Sequence, residues 1–166
     1  MEFQSCRTKF IDTWGKLGMQ WGINKTMAQI HALLLISPEA MNTDRIMEEL
    51  EISRGNAHMN LRALMEWGLI SKTPKCGERC DYFHAEKDLN IVFKNILEHR
   101  RKRELDPILH ELDDLLKCNC VSDEAKEFKS MLKNISGFAH KTDQALTVLV
   151  KTDSHWFYNT LFQILK

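Results

Sequence analysis

Residues 43–82 read TDRIMEELEISRGNAHMNLRALMEWGLISKTPKCGERCDY, and this stretch decides the fold. Thr43 stands just before Asp44, with Met47, Leu50 and Ile52 completing an apolar face. That pattern predicts a short helix over 44–51, capped by the Thr43 hydroxyl. Ser53 restarts the chain as a second N-cap. Ala57, Leu61, Leu64, Met65 and Trp67 follow at helical spacing, and Gly68 suits the C′ position that closes a helix. Only the short turn Glu51-Ile52-Ser53 separates the two helices, as a helix-turn-helix requires. Beyond it, residues 69–75 have β-branched, alternating character, 76–79 can turn, and 80–84 return as a strand.

The order is that of a winged helix-turn-helix, which offers one helix to the DNA major groove and a β-hairpin beside it. With the apolar face of the second helix inward, Ser53, Arg54, Gly55, Asn56, His58, Met59 and Arg62 are left outside, and Asn60 lies toward the flank. Arg and Asn can make bidentate contacts to guanine and adenine edges, and a helix N-terminus favours phosphate. An ordinary solvated helix face is the competing reading of the same residues. The local charge tips the balance: over residues 53–80, Arg54, Arg62, Lys72, Lys75 and Arg79 face only Glu66 and Glu78. Such a basic segment in a chain of zero net charge is the footprint of a phosphate-facing surface.

Composition sets the outer limits. The 166 residues are 43% hydrophobic and 28% charged, which is globular rather than disordered and enough for a real core. Only three prolines and seven glycines favour long helices. Acids dominate residues 105–127 and lysines dominate 128–166, blocks that suit solubility and helix pairing better than ligand binding. No run reaches the ~18 apolar residues that span a bilayer, and the opening MEFQSCRTKF lacks a signal-peptide core. A cytoplasmic protein with reduced thiols and no membrane contact is expected.

Around the winged segment the chain reads as helix. Phe3, Cys6, Phe10, Trp14 and Leu17 share one face of a first helix over 3–17, and 18–22 loosens the chain. Residues 25–36 form an apolar central helix that stops at Ser37-Pro38. Asp88 caps a long helix reaching 116, roughly 45 Å, too long to pack only within one small domain. Pro107 predicts a kink near Lys102-Arg103. Arg100-Arg101-Lys102-Arg103 there reads either as a solvated joint or as contacts to phosphate or to a second subunit. Ser122 caps another helix, and 155–165 form a last one. Three segments follow: 1–22 as a helix for a dimer interface, 23–87 as the winged DNA-binding domain, and 88–166 as long helices for dimerisation and effector binding. The fold class is mainly α with a small β-hairpin wing.

Other chemistry is thinner. Cys76-x-x-x-Cys80 and Cys118-x-Cys120 have no histidine at a zinc-site spacing, so no metal is expected. Cys76 and Cys80 are candidates for a thiol switch on the wing, with plain reduced cysteine as the simpler reading. Phe138, Trp156 and Tyr158 are candidates for an effector pocket, against the plainer role of filling a dimer core. No P-loop, GxSxG, HExxH or dinucleotide-binding turn is present, so neither catalysis nor a cofactor is expected.

The run ISRGNAHMNLRALMEWGLI (52–70), the wing GERCDYF (77–83) and ILEHRRKRELDPIL (96–109) resemble the GbsR-type branch of the MarR superfamily of bacterial transcription regulators. The similarity covers roughly residues 1–117 and is most specific over 52–109. It implies a homodimer whose winged domains straddle a pseudo-palindromic double-stranded operator. Ser53, Arg54, Asn56, His58 and Arg62 then fall on the recognition helix, and Arg79 on the wing tip. Repression, and an effector such as a quaternary ammonium compound, are implied by the resemblance alone. Asn24-Lys25 replaces the usual Pro-Arg, and cysteines flank the wing glycine. The expectation is a DNA-binding regulator released by a small molecule. A thiol-responsive regulator and a winged-helix protein–protein module are the alternatives.

Overall fold

The computed structural model describes residues 2–74, 80–117 and 122–151. The chain divides into two compact units, Met1–Val92 and Phe93–Lys166. Helices dominate both, and the first holds a small antiparallel sheet, as the sequence predicts.

The first unit is built around α2 (Lys25–Ile36), which the Asn24 side chain opens by accepting from the Met27 amide at 3.2 Å. Met27, Ala28, Ile30, His31, Ala32, Leu33 and Leu34 are all buried, so α2 is apolar on nearly every side. It packs against α1 (Phe3–Gln20), α3 (Thr43–Leu50), α4 (Arg54–Glu66) and β3 (Asp81–Ala85). Helix α1 outruns the expected end at 17: Gly18 lies inside it and is buried. A Cβ on Gly18 would sit 2.6 Å from the Ala28 Cβ, so this glycine permits a close helix crossing rather than loosening the chain. The turn falls instead at Gly22, whose φ of +71° suits glycine.

The other end of α2 is closed from far along the sequence. Lys87 Nζ donates to the carbonyls of Leu34 at 2.8 Å, of Leu35, and of Ser37 at 2.9 Å. These oxygens have no intrahelical partner, and an ammonium beside a helix C-terminus also meets the favourable end of its dipole. Burial pushes the Lys87 pKa down. One helical turn away His31 is 4% exposed, its Nε2 has no hydrogen-bond partner among the described residues, and its ring lies 6.2 Å from that of Trp14. Desolvation, then the nearby Lys87 charge, push the His31 pKa down to about 4.

Two details of the helix-turn-helix differ from the sequence reading. The cap of α3 is Asn42, whose side chain accepts from the Arg45 amide at 2.9 Å, and Thr43 is already helical. The buried centre of α3 is Ile46, fully inaccessible, with Met47 and Leu50 half-buried beside it. The turn to α4 has the expected length and bends through Glu51 at φ 52°, a left-handed residue that lets the Ile52 amide reach the Met47 carbonyl. Ser53 caps α4 as predicted, accepting from the Asn56 amide at 3.3 Å.

The sheet has three strands in the order β1-β3-β2, not a hairpin alone. Strand β2 (Ile70–Pro74) pairs with β3 from Ile70↔Ala85 to Pro74↔Asp81, and β1 (Met41–Asn42) adds to the other edge of β3. Phe83 and Ala85 are buried while Tyr82 and His84 between and beside them are more open, the period of a half-buried strand; Asp81, on the Phe83 face, is exposed at the strand's start.

In the second unit the predicted kink takes the form of a π turn. Helix α5 (Leu89–Arg100) passes into a π turn over Arg101–Leu105, and α6 (Asp106–Leu116) follows. Pro107 lacks an amide proton, and its ring would clash with the carbonyl four residues back. The wider turn relieves this, with the Asp106 amide bonded to the Arg101 carbonyl. Within the basic run, Arg101 is fastened to its own chain: it meets Glu98 at 3.3 Å, Asp106 at 3.2 Å and Asp143 at 2.7 Å. Asp143 belongs to α7 (Asp123–Lys151), which Ser122 opens by accepting from the Ala125 amide. Asp113 of α6 also ties to α7, accepting from Ser136 at 3.4 Å and meeting His140 Nε2 at 3.1 Å. The His140 contact is the main cause that holds the Asp113 carboxyl below the usual carboxylate range.

Candidate nucleic-acid interface

Helix α4 is amphipathic in the manner a reading helix needs. Ala57, Leu61 and Leu64 are buried on the side that meets α2 and α3. Arg54, Gly55, His58, Met59 and Arg62 are exposed on the other side, with Ser53 exposed at the head. Nothing lies within 4 Å of a Cβ built on Gly55, so the backbone of the first turn is open to a phosphate or a groove edge.

Asn56 stands apart from this set. It is half-buried, its Nδ2 donates to Thr26 Oγ1 at 3.4 Å, and its Oδ1 accepts from Asn60 Nδ2 at 2.7 Å. The same Asn60 nitrogen reaches the Asn56 carbonyl at 2.8 Å, and Asn60 is buried rather than lying on the flank. The two amides therefore brace α4 against α2. An adenine edge would have to break the Thr26 contact before it could engage Asn56.

The sheet completes a shallow groove of about 360 Å³ beside α4, with Arg54, His58, Arg62, Lys72, Cys80 and Asp81 among its lining residues. Arg54 Nη2 pairs with Asp44 Oδ1 at 2.9 Å, and Lys72 Nζ with Asp81 Oδ2 at 2.8 Å. Sequence reasoning missed both acids. Lys72 faces Phe83 across the ladder, which puts Asp81 at the diagonal position where opposite charges meet. The hairpin register carries that signal. Asp44 has no comparable local signal, because the helix-turn-helix brings it to Arg54 from ten residues away.

The remaining expected site residues divide simply. Lys75, Cys76 and Arg79 on the wing, and Trp156 and Tyr158 of the effector reading, lie outside the described residues. Cys80 is half-exposed on the groove wall. Phe138 is 74% exposed on α7. Among the described residues no cluster of three or more metal-ligating side chains occurs, and no helix is long and apolar enough to cross a membrane.

The HTH-type transcriptional repressor GbsR of Bacillus subtilis (strain 168) is 24% identical to this chain over 131 residues, 76% of the chain and 72% of the repressor. The chain is similar to a GbsR-type transcriptional regulator. A crystal structure of a transcriptional regulator shares the fold, with a TM-score of 0.66 at 15% identity, covering 87% of this chain and 95% of that one. No family model matches the chain.

Proposed function

We propose that this chain is a sequence-specific regulator that binds double-stranded DNA, works as a homodimer, and represses transcription until a small-molecule effector releases it. The observation that carries the proposal is the open face of α4, where Arg54, His58 and Arg62 stand outward on a helix braced from behind by buried Ala57, Leu61 and Leu64. Arg62 would read a base edge, and Lys72, with Lys75 and Arg79 of the wing, would hold phosphates or the minor groove. Two such helices about 34 Å apart would engage successive major grooves of a pseudo-palindromic operator. The dimer is supported by α7, where Phe128, Met131, Ile135 and Phe138 are exposed at coiled-coil spacing. Repression is carried over from the name of the similar Bacillus subtilis repressor, and effector release from the family resemblance alone. Under this proposal 1–22 and 88–166 supply the dimer interface, 23–87 binds DNA, and the protein is cytoplasmic.

Selection of bound duplexes from a random pool tests the proposal, because it returns half-site sequence, spacing and two-fold symmetry together. An enriched pseudo-palindrome supports it, and no affinity for any duplex at ~50 mM salt points to a protein–protein role instead. Arg62→Ala should cost ~1–3 kcal/mol of operator binding and relax the sequence at one position. Unchanged affinity removes Arg62 from the reading face.

A second reading is favoured by Cys80, whose thiol lines the same groove as Arg62 and Lys72. Oxidation there would add bulk and polarity where DNA is to lie. Loss of operator binding on mild oxidation that is absent in a Cys76→Ser/Cys80→Ser variant is the mark of a thiol-responsive regulator.

A further inference from the structure

The groove beside α4 is mixed in charge. Two of its three lysine and arginine residues, Arg54 and Lys72, each carry a carboxylate within 3 Å: Asp44 at 2.9 Å and Asp81 at 2.8 Å. All four side chains line one groove, together with His58 and Arg62. The pairs are open to water, with exposures of 69% and 69% for Arg54 and Asp44 and of 49% and 48% for Lys72 and Asp81. Pairs this exposed add little to folding stability, so stability is a weak reason for placing acids there. Their larger effect is on the field that an approaching polyanion meets.

We propose that Asp44 and Asp81 are selectivity carboxylates that suppress sequence-independent DNA binding; this rests on the DNA-binding reading given above. A phosphate captured by a lone arginine releases one condensed counterion from the duplex, and that release drives non-specific affinity. A phosphate captured by Arg54 must displace Asp44, and the abandoned carboxylate gathers a cation from solution. Net ion release at that contact falls toward zero. The same exchange operates at Lys72 and Asp81. Both acids also bring negative charge toward neighbouring phosphates, a cost every sequence incurs. Base-edge hydrogen bonds from the remaining α4 residues do not depend on ion release, so they become a larger share of operator binding once the shared phosphate contribution is weakened. The acids therefore keep random duplex, which has no base contacts to fall back on, weakly bound.

The test measures binding of the full-length protein to random-sequence duplex and to the selected operator, across a salt series from ~50 to ~200 mM. Asp44→Asn and Asp81→Asn are each compared with the parent and with Asp123→Asn, which removes an acid from an i, i+3 pair on α7, outside this groove. Each groove variant should bind random duplex roughly 3- to 10-fold more tightly at the low-salt end and steepen its salt slope by about one. Operator affinity should rise by no larger a factor; Asp123→Asn should change neither. Circular dichroism and a thermal melt confirm that the variants fold, since Asp44 sits in the first turn of α3. The double variant adds a second measure, because two independent exchanges should steepen the slope by about two.

Random-duplex affinity and slope equal to the parent's overturn the proposal while leaving DNA binding intact. A selective loss of operator binding in Asp44→Asn or Asp81→Asn also overturns it, because that is the signature of a carboxylate accepting from a cytosine amino group. Equal gains in Asp123→Asn would reduce the effect to net charge and overturn the groove-specific claim. Failure of parent and variants alike to bind any duplex at ~50 mM salt removes the DNA reading and this proposal with it.

Discussion

Helices α2 and α7 are opposites. Of the 12 residues of α2, seven are buried, and α1, α3, α4 and β3 of the same unit pack against it. Helix α7 has 29 residues, about 43 Å of helix, and only Leu132 and Ser136 are buried. Among the described residues it packs mainly against the 11-residue α6 and the short π turn, both much shorter than α7 itself. One helix is finished by its own fold. The other leaves Phe128, Met131, Ile135 and Phe138 in water, along a seam that a second copy would fill under the homodimer proposal.

The contrast can be broken most sharply from the finished side. Leu33 is fully buried in α2, so Leu33→Ala should cost ~2–5 kcal/mol in urea unfolding, through lost transfer energy plus the cavity left behind. A cost below ~1 kcal/mol would mean that α2 is far less tightly enclosed than its burial indicates.

Next in size is a dependence on acid. The folded-state pKa of His31 is about 4, below the ordinary 6.5 of an unfolded chain. The unfolded chain therefore binds the proton first, and stability falls as pH drops from about 6.5 toward 4. The loss is on the order of 3 kcal/mol once both states are protonated. His31→Gln cannot titrate and should flatten that part of the stability–pH curve; an unchanged slope would assign it to other groups.

Lys87→Met should cost ~1–3 kcal/mol, because three carbonyls at the end of α2 lose a charged donor. Chemical denaturation at neutral pH reads it directly, and a change inside ~0.3 kcal/mol would mean that water replaces the ammonium without penalty.

The smallest effect is expected on the unfinished side. Phe138 is 74% exposed, so Phe138→Ser should alter the stability of an isolated protomer by no more than ~0.5 kcal/mol. Its effect should appear instead in sedimentation, as weaker self-association. A variant that unfolds while its association is unchanged would assign Phe138 to the fold of its own chain.

The same contrast explains what was legible in the sequence. Local chemistry read well: Ser53, Ser122 and Gly68 punctuate helices through their own backbone neighbourhood, and Ala57, Leu61 and Leu64 keep the helical period. What failed depended on partners distant in sequence. Asn42 and Thr43 are both good caps, and the choice follows from Met41 and Asn42 pairing with Phe83 and Tyr82. A strand of two residues has no period to detect. Ile46 and Met47 are equally apolar, and only the neighbours of α3 decide which one is centred on the core. Asn56 has the chemistry of a base reader, but Thr26 and Asn60 claim it from the inner side. Gly18 resembled a helix breaker until Ala28 lay against it. Pro107 announced a distortion, yet only the geometry shows that the chain accommodates it by widening one turn.

Lys87 has one more consequence, and it concerns time rather than energy. Its contacts with Leu34 and Ser37 join residues 53 and 50 positions apart, so they close a loop that contains α3, α4 and the whole sheet. Closing a loop of that length is entropically costly and gains little until the enclosed elements have formed. The lysine should therefore dock late, after the transition state for folding. Its removal would leave the folding rate nearly unchanged and accelerate unfolding instead. In that role Lys87 sets the lifetime of the folded winged unit.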